Sequence, residues 1–186
     1  MDDREAIARL KAGDPSGLEP LVRRYQVKAL RTAFLITHDR ALAEEAVQES
    51  FLRFYRAVKR FDATRPVASY LLRIVVRVAL NIARREQRTT TLDNASLEQV
   101  EALLNQATRS VESQIAYNAL VEEIEQALAA LTPRQRAVIV QRYYLGMSEQ
   151  EMAQRLTVTP GTIKRLLYNA RRRLRHLLHD HEGRAK

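Results

Sequence analysis

Lys164, Arg165, Arg171, Arg172, Arg173 and Arg175 lie between Pro160 and Leu178 with no acidic residue among them. Such a run of cations along one helix is the chemistry of phosphate binding, because each cation set against a phosphate releases a counterion. Gly161 and Thr162 open the stretch. Small residues at a helix start permit close approach, and the free amides and positive dipole end suit a phosphate or a base edge.

A second basic set interleaves Tyr70, Arg73, Arg77, Arg84, Arg85 and Arg88 with apolar Leu71, Ile74, Val75, Val78 and Ile82. It follows Phe61-Asp62-Ala63-Thr64-Arg65-Pro66, which reads as a loop because the residue before proline is pushed out of helical geometry. An aromatic and a row of arginines beside a loop suit single-stranded nucleic acid, where charge follows the backbone and rings take unstacked bases. The same pattern fits a core helix with snorkelling arginines, and both readings stay open on these residues alone. A third set, Glu44, Glu45, Gln48, Glu49 and Arg53, forms a polar face that by itself reads as solvated surface. His176, His179 and His181 have tail spacing and no cysteine to join them, which makes an incidental cluster the better reading than a metal site. Nothing in the sequence resembles a phosphate loop, a carboxylate pair for metal or a nucleophile beside a base, so no enzyme and no cofactor is expected.

Helices must position these sets. Thr132 before Pro133 with Gln135 three residues on, Ser148 with Glu151 three on, and Thr159 before Pro160 are N-cap signatures, predicting helices from about Pro133, Glu149 and Pro160. Only Thr157 and Val158 separate Leu156 from the last cap, so the chain turns sharply, as a helix-turn-helix does. The final helix carries Ile163, Leu167, Ala170, Leu174 and Leu177 as a stripe that needs a core. Upstream, Asp14-Pro15-Ser16-Gly17 marks a turn after an amphipathic opening, and the following helix ends near Thr37. Asp39 caps the next, whose Ala43, Ala46, Val47, Phe51, Phe54 and Tyr55 make one stripe. A further helix runs from Ser69 to about Arg88. Phe51, Ile74, Met152 and Leu174 are expected in the core.

With five glycines, five prolines and helical spacing throughout, the expected fold class is all-α without a sheet. A chain of 186 residues, 46% hydrophobic, can bury two small cores. The boundary lies where composition shifts: 89–127 holds seven acids against the single base Arg109, so residues 1–88 form one domain, 89–116 an acidic flexible linker, 117–178 a second domain, and 179–186 a fraying tail. Val121, Ile124, Leu128 and Leu131 are expected to restart a helical stripe. The absence of cysteine excludes a disulfide framework, and MDDREAIARLKAGD lacks the apolar core of a signal peptide, which points to the cytoplasm. The longest apolar run, Tyr70 to Ala83, is interrupted by Arg73 and Arg77, so no membrane insertion is expected. A net charge of +9 favours a polyanionic partner.

Two blocks, AEEAVQESFLRFYRAVKRF with SYLLRIVVRVALNIARREQR after it, then LTPRQRAVIVQRYYLGMSEQEMAQRL with GTIKRLLYNARRRLR, together resemble bacterial RNA polymerase sigma factors of the extracytoplasmic-function (ECF) class across nearly the whole chain. The resemblance implies a sigma-2-like domain and a sigma-4-like helix-turn-helix domain in a transcription initiation factor of stress regulation. It implies that Glu44, Glu45, Gln48, Glu49 and Arg53 dock on the β′ clamp helices of core RNA polymerase, with the β flap as a further contact. Phe61, Asp62, Arg65, Tyr70, Arg73, Arg77, Asn81 and Arg84 would read and hold the melted minus 10 strand. The last helix would enter the major groove at minus 35, with Thr159 and Gly161 at its start. Thr162, Lys164, Arg165, Tyr168 and Asn169 would lie nearest base edges or adjoining phosphates, with Arg171, Arg172 and Arg175 on phosphates. Promoter DNA and an anti-sigma factor are the other implied partners.

Several residues depart from the family's usual pattern. Leu166 follows Lys164-Arg165 where arginine is common, Thr157 stands for a turn glycine, Tyr70 for tryptophan, and Arg77 and Asn81 for asparagine and aspartate. The minus 10 preference is expected to be unusual. A stand-alone helix-turn-helix regulator is the rival reading, and it leaves the VQESFLRFYRA helix without a role.

Overall fold

The computed structural model describes residues 1–89 and 124–182. It divides into two compact units, Met1–Arg88 and Thr89–Lys186. Among the described residues every regular element is helical, and no helix is long and apolar enough to cross a membrane.

In the first unit, α1 (Asp3–Lys11) starts at Asp2, whose carboxylate accepts from the Glu5 amide at 2.8 Å. The predicted turn is a 3-10 turn, Pro15–Gly17, in which Asp14 accepts from the Ser16 amide and hydroxyl. The second helix, α2 (Leu18–Thr37), stops at His38, which adopts the left-handed conformation at φ 58° and returns its amide to the Phe34 carbonyl. Asp39 then caps α3 (Arg40–Ala57) through the Leu42 amide, as its position predicts. A 3-10 turn, Val58–Arg60, leads into the loop, and α4 (Val67–Thr89) begins two residues before the expected Ser69.

The α2–α3 pair forms the main packing of this unit, with Phe54, Ile36, Leu21, Leu71 and Val75 at its centre. Full burial of such side chains contributes about 1.5–3 kcal/mol each. Buried hydroxyls do not interrupt the core: Thr32, Thr37 and Ser50 each donate to the carbonyl four residues back. Of the expected stripe on α3, Ala43, Ala46, Phe51 and Phe54 are buried, Val47 half so, while Tyr55 faces out. Phe51 and Met152 are core, as expected; Ile74 and Leu174 lie at its margin, half-buried.

In the second unit a helical segment over 124–129 precedes α5 (Pro133–Ile139), α6 (Glu149–Leu156) and α7 (Pro160–Glu182). All three predicted starts are observed, the first two as complete capping boxes, Thr132 with Gln135 and Ser148 with Glu151. The expected stripe before α5 is redistributed: Leu128 and Leu131 are buried with Ala127, but Ile124 is 45% exposed. Val121, the proposed domain start near Tyr117 and all of the proposed linker 89–116 except Thr89, the last residue of α4, lie outside the described residues. The last helix runs past the expected end at Leu178, as far as Glu182.

A π-helical turn, Val140–Tyr144, follows α5 and was not anticipated. It widens the helix just before Gly146, which takes φ 66°, and the Met147 amide closes the turn on the Gln141 carbonyl at 3.0 Å. Gln141 is wholly buried there. Its amide nitrogen donates to the Ala137 carbonyl, and its side-chain oxygen has no partner.

Candidate nucleic-acid and partner interfaces

Ile163, Leu167 and Ala170 seat α7 in the core of the second unit, with Leu174 and Leu177 half-buried along the same edge. The helix start is ordered by Thr159, whose hydroxyl accepts from the Thr162 amide at 3.2 Å and lies 3.0 Å from the Thr162 hydroxyl. At about 100° per residue, Lys164, Arg171 and Arg175 share one flank, and Tyr168, Gly161, Arg172 and Arg165 continue it round the side away from the core. Asn169 and Thr162 lie on the other flank, with Arg173. Lys164, Arg165, Arg171, Arg172 and Arg175 are exposed, and Tyr168 is 58% exposed among them. A Cβ on Gly161 would meet only the Thr159 hydroxyl, at 3.9 Å, so the protein itself leaves that position open.

Behind this face, Arg136 is 8% exposed and donates to the carbonyls of Ala129 and Leu131. It thereby closes the end of the segment that precedes α5, and burial pushes its guanidinium down to about 10, still charged at neutral pH. The turn between α6 and α7 is held by Thr157 in the left-handed region at φ 56°, where the expected substitute for a glycine carries the strain itself.

In the first unit, Tyr70, Arg73, Arg77, Asn81 and Arg84 fall within an arc of about 80° on α4. The opposite face of that helix is buried through Leu71, Leu72, Val75, Val76, Ala79 and Ala83. Arg73, Arg77 and Asn81 are exposed; Tyr70 and Arg84 are half-buried. The loop at the head of the arc is organised by its own residues. Asp62 accepts from the Thr64 amide at 3.0 Å and the Thr64 hydroxyl at 2.7 Å, and Arg65 lies 3.3 Å from the same carboxylate. The Thr64 hydroxyl, then its amide, hold the Asp62 carboxyl below its usual range.

Phe61 departs from the rest of its set. It is 4% exposed, its ring 4.9 Å from that of Tyr70 and 6.0 Å from that of Phe54. The ring therefore supports Tyr70 from inside, and the open ring edge of the cluster belongs to Tyr70.

On α3, Glu44, Glu45, Gln48 and Arg53 are exposed and Glu49 half so. Glu44 pairs with Arg40 and Glu49 with Arg53, four residues apart on the same helix. Arg53 also holds the Glu49 carboxyl below its usual range, so it is ionised at neutral pH. Exposed pairs of this kind contribute only about 0.3–0.5 kcal/mol, which leaves the acids available to a partner. Sequence reasoning missed Leu52, 48% exposed at the middle of this face. Glu45, Gln48, Glu49, Leu52 and Arg53 line one side of a groove of about 440 Å³, and Val78, Asn81, Ile82 and Arg85 of α4 line the other. Arg85 reaches across it to Glu45 at 3.4 Å. The signal for Leu52 was there to find: it is a large apolar residue off the stripe of α3.

A helix-turn-helix unit with a basic last helix, linked in sequence to a helical unit with a groove between acidic and basic helices, is the arrangement of sigma-70-type transcription factors. The family model for sigma-70 region 2 matches residues 21–89, and that for sigma-70 region 4 matches residues 121–174. The ECF RNA polymerase sigma factor SigM of Mycobacterium tuberculosis is 34% identical over 176 residues, covering 95% of this chain and 84% of that relative. The corresponding factor SigW of Bacillus subtilis is 26% identical, covering 95% and 97%. Among solved structures, the sigma factor RpoE of Bartonella quintana, crystallised with the anti-sigma factor NepR, aligns with a TM-score of 0.64 at 17% identity, covering 87% of this chain and 96% of that one. CnrH in complex with the cytosolic domain of CnrY aligns with a TM-score of 0.61 at 22% identity, covering 96% and 97%.

The chain belongs to the ECF RNA polymerase sigma factors. It is a factor that binds core RNA polymerase and directs it to promoters.

Proposed function

We propose that the first unit both docks on polymerase and captures the minus 10 strand, while the second reads minus 35 duplex. The groove between α3 and α4 carries this reading, since its acidic wall with Leu52 and its basic wall with Asn81 belong to one rigid pair of helices. The α3 wall, Glu45, Gln48, Glu49 and Leu52, meets the β′ clamp helices, with Leu52 as apolar anchor and the acids steering the approach. Arg73, Arg77 and Arg84 follow the backbone of the melted strand, Asn81 and the Asp62–Arg65 loop meet bases, and Tyr70 stacks at the edge of the open segment. Extracting a base costs a few kcal/mol, which stacking and phosphate contacts offset, so binding favours the open state without chemistry. Along α7, Lys164, Arg171, Arg172 and Arg175 hold phosphates, and Thr162, Arg165, Tyr168 and Asn169 read base edges. The protein acts by binding alone, in the cytoplasm, and at the nucleoid when in holoenzyme. The two solved relatives are held by partner proteins, one of them an anti-sigma factor; an anti-sigma factor is the corresponding proposal for this chain.

The test is binding of the purified chain to bacterial core RNA polymerase, with Glu45→Arg and Glu49→Arg combined, and separately Leu52→Asp. We expect a stable complex, weakened about tenfold or more by either change. Retention of full affinity in both variants would remove α3 from the interface. Sequence-specific duplex binding without any polymerase complex would favour the stand-alone regulator.

A further inference from the structure

The opening helix has no part in the reading above, and it lies outside the residues 21–89 matched by the region 2 model. A helix of nine residues is too short to persist alone, so α1 exists by docking. Its docking is fastened at both ends. The Asp3 carboxylate receives the Arg24 guanidinium and the Tyr25 hydroxyl of α2, and Arg24 also donates to the Met1 carbonyl at 2.9 Å. At the far end, a Cβ on Gly17 would lie 2.4 Å from the Ala6 carbonyl oxygen and 3.0 Å from Leu10, so only glycine permits the approach. Ala6, Ile7 and Leu10 are consequently buried.

Besides α2, α1 lies against the 3-10 turn Val58–Arg60. Val58 in that turn is 2% exposed, and its carbonyl accepts the Phe61 amide at 3.0 Å. Phe61 is the residue whose ring backs Tyr70. A continuous path of packed groups therefore runs from α1 through the turn to the root of the loop and to Tyr70. A helix that merely added burial could sit anywhere on the unit; this one braces the segment from which the loop springs.

We propose that α1 is a positioning element for minus 10 capture: by bracing Val58–Arg60 it fixes the loop Phe61–Pro66 and Tyr70 in the geometry that receives the single strand. The inference rests on the proposed minus 10 role of those residues. No residue of α1 needs to touch DNA.

The experiment uses the full chain assembled with core polymerase, with Asp3→Ala and Gly17→Ala as independent ways of loosening α1. Three affinities are measured: for core polymerase, for a single-stranded oligonucleotide selected on the unsubstituted holoenzyme, and for duplex carrying the minus 35 element alone. We expect single-strand affinity to fall about tenfold through lost preorganisation, with the other two within about twofold. Asp3→Asn, which keeps an acceptor for the Tyr25 hydroxyl, should recover part of the loss. A parallel fall in core affinity would mean that α1 only keeps the unit folded, and unchanged single-strand affinity in both variants would mean that it braces nothing; either overturns the inference. If the unsubstituted holoenzyme selects no single strand, the minus 10 reading itself fails, and that is seen before any variant is made.

Discussion

Arg171→Ala and Arg173→Ala make a matched pair, because the two arginines are neighbours on α7 yet about 160° apart around it. Arg171 shares its flank with Lys164 and Arg175, and its Nε is tied to the Leu167 carbonyl at 3.3 Å, which leaves its terminal amino groups for a phosphate. Arg173 is exposed on the opposite flank. One phosphate contact contributes about 0.9 to the slope of log K against log salt. Losing it should weaken binding about fifteenfold at roughly 0.05 M salt and about fivefold at roughly 0.15 M, converging near 1 M. The loss should be the same on every promoter sequence, since a phosphate carries no base information. The assay is holoenzyme binding to a selected promoter fragment over a salt series, in which contacts elsewhere cancel between variant and parent. An unchanged slope in Arg171→Ala, or an equal drop in Arg173→Ala, would refute the assignment of that flank to DNA.

Three further outcomes follow from single positions. Gln141→Leu should stabilise the second unit by about 1–2 kcal/mol in denaturant unfolding, because it removes a buried oxygen without a partner; a loss of similar size would show that the oxygen is satisfied in solution. Thr157→Gly should add up to about 1 kcal/mol by relieving a left-handed β-branched residue; a drop in stability would show that relief of strain does not govern this position. Burial, then the bond to Asp3, pushes the Tyr25 hydroxyl up to about 12 from 10.0. The neutral phenol is the form the fold holds, so its contribution is complete below about pH 10 and is lost as pH rises through about 12. Followed by phenolate absorbance, Tyr25→Phe should remove a titration step near pH 12; a step that persists there unchanged would sink the assignment.

The capped helix starts were legible because a cap is local chemistry: Thr132 and Gln135, or Ser148 and Glu151, carry their own partners in the sequence. Asp39 and the Asp14 turn were legible for the same reason. The start of α4 was misjudged because Val67 and Ala68 offer no capping oxygen, leaving Ser69 as the nearest signal. Phe61 read as a surface aromatic in a loop, since its inward turn depends on Phe54 and Tyr70, neither adjacent in sequence. The groove was hidden similarly: its walls come from α3 and α4, so Leu52, which the sequence shows only as an apolar residue off the stripe, gains its place in a site beside Val78 and Ile82. The π-helical turn has no short-range signature, because Gln141 is drawn inside by packing against its own preference for water.

The contact between α1 and Val58–Arg60 also sets an order of events when the chain is made. Closing a segment of about fifty residues carries an entropic cost that local helix pairing does not. During synthesis α1 emerges before α2 and α3, and it can lie on α2 as soon as α2 forms. Its brace on the turn must wait until α3 is complete. Until then the turn, and the loop that springs from it, are left unsupported. The residues of α1 thus complete their work late, and a newly made first unit gains its full shape only once the chain has grown past Arg60.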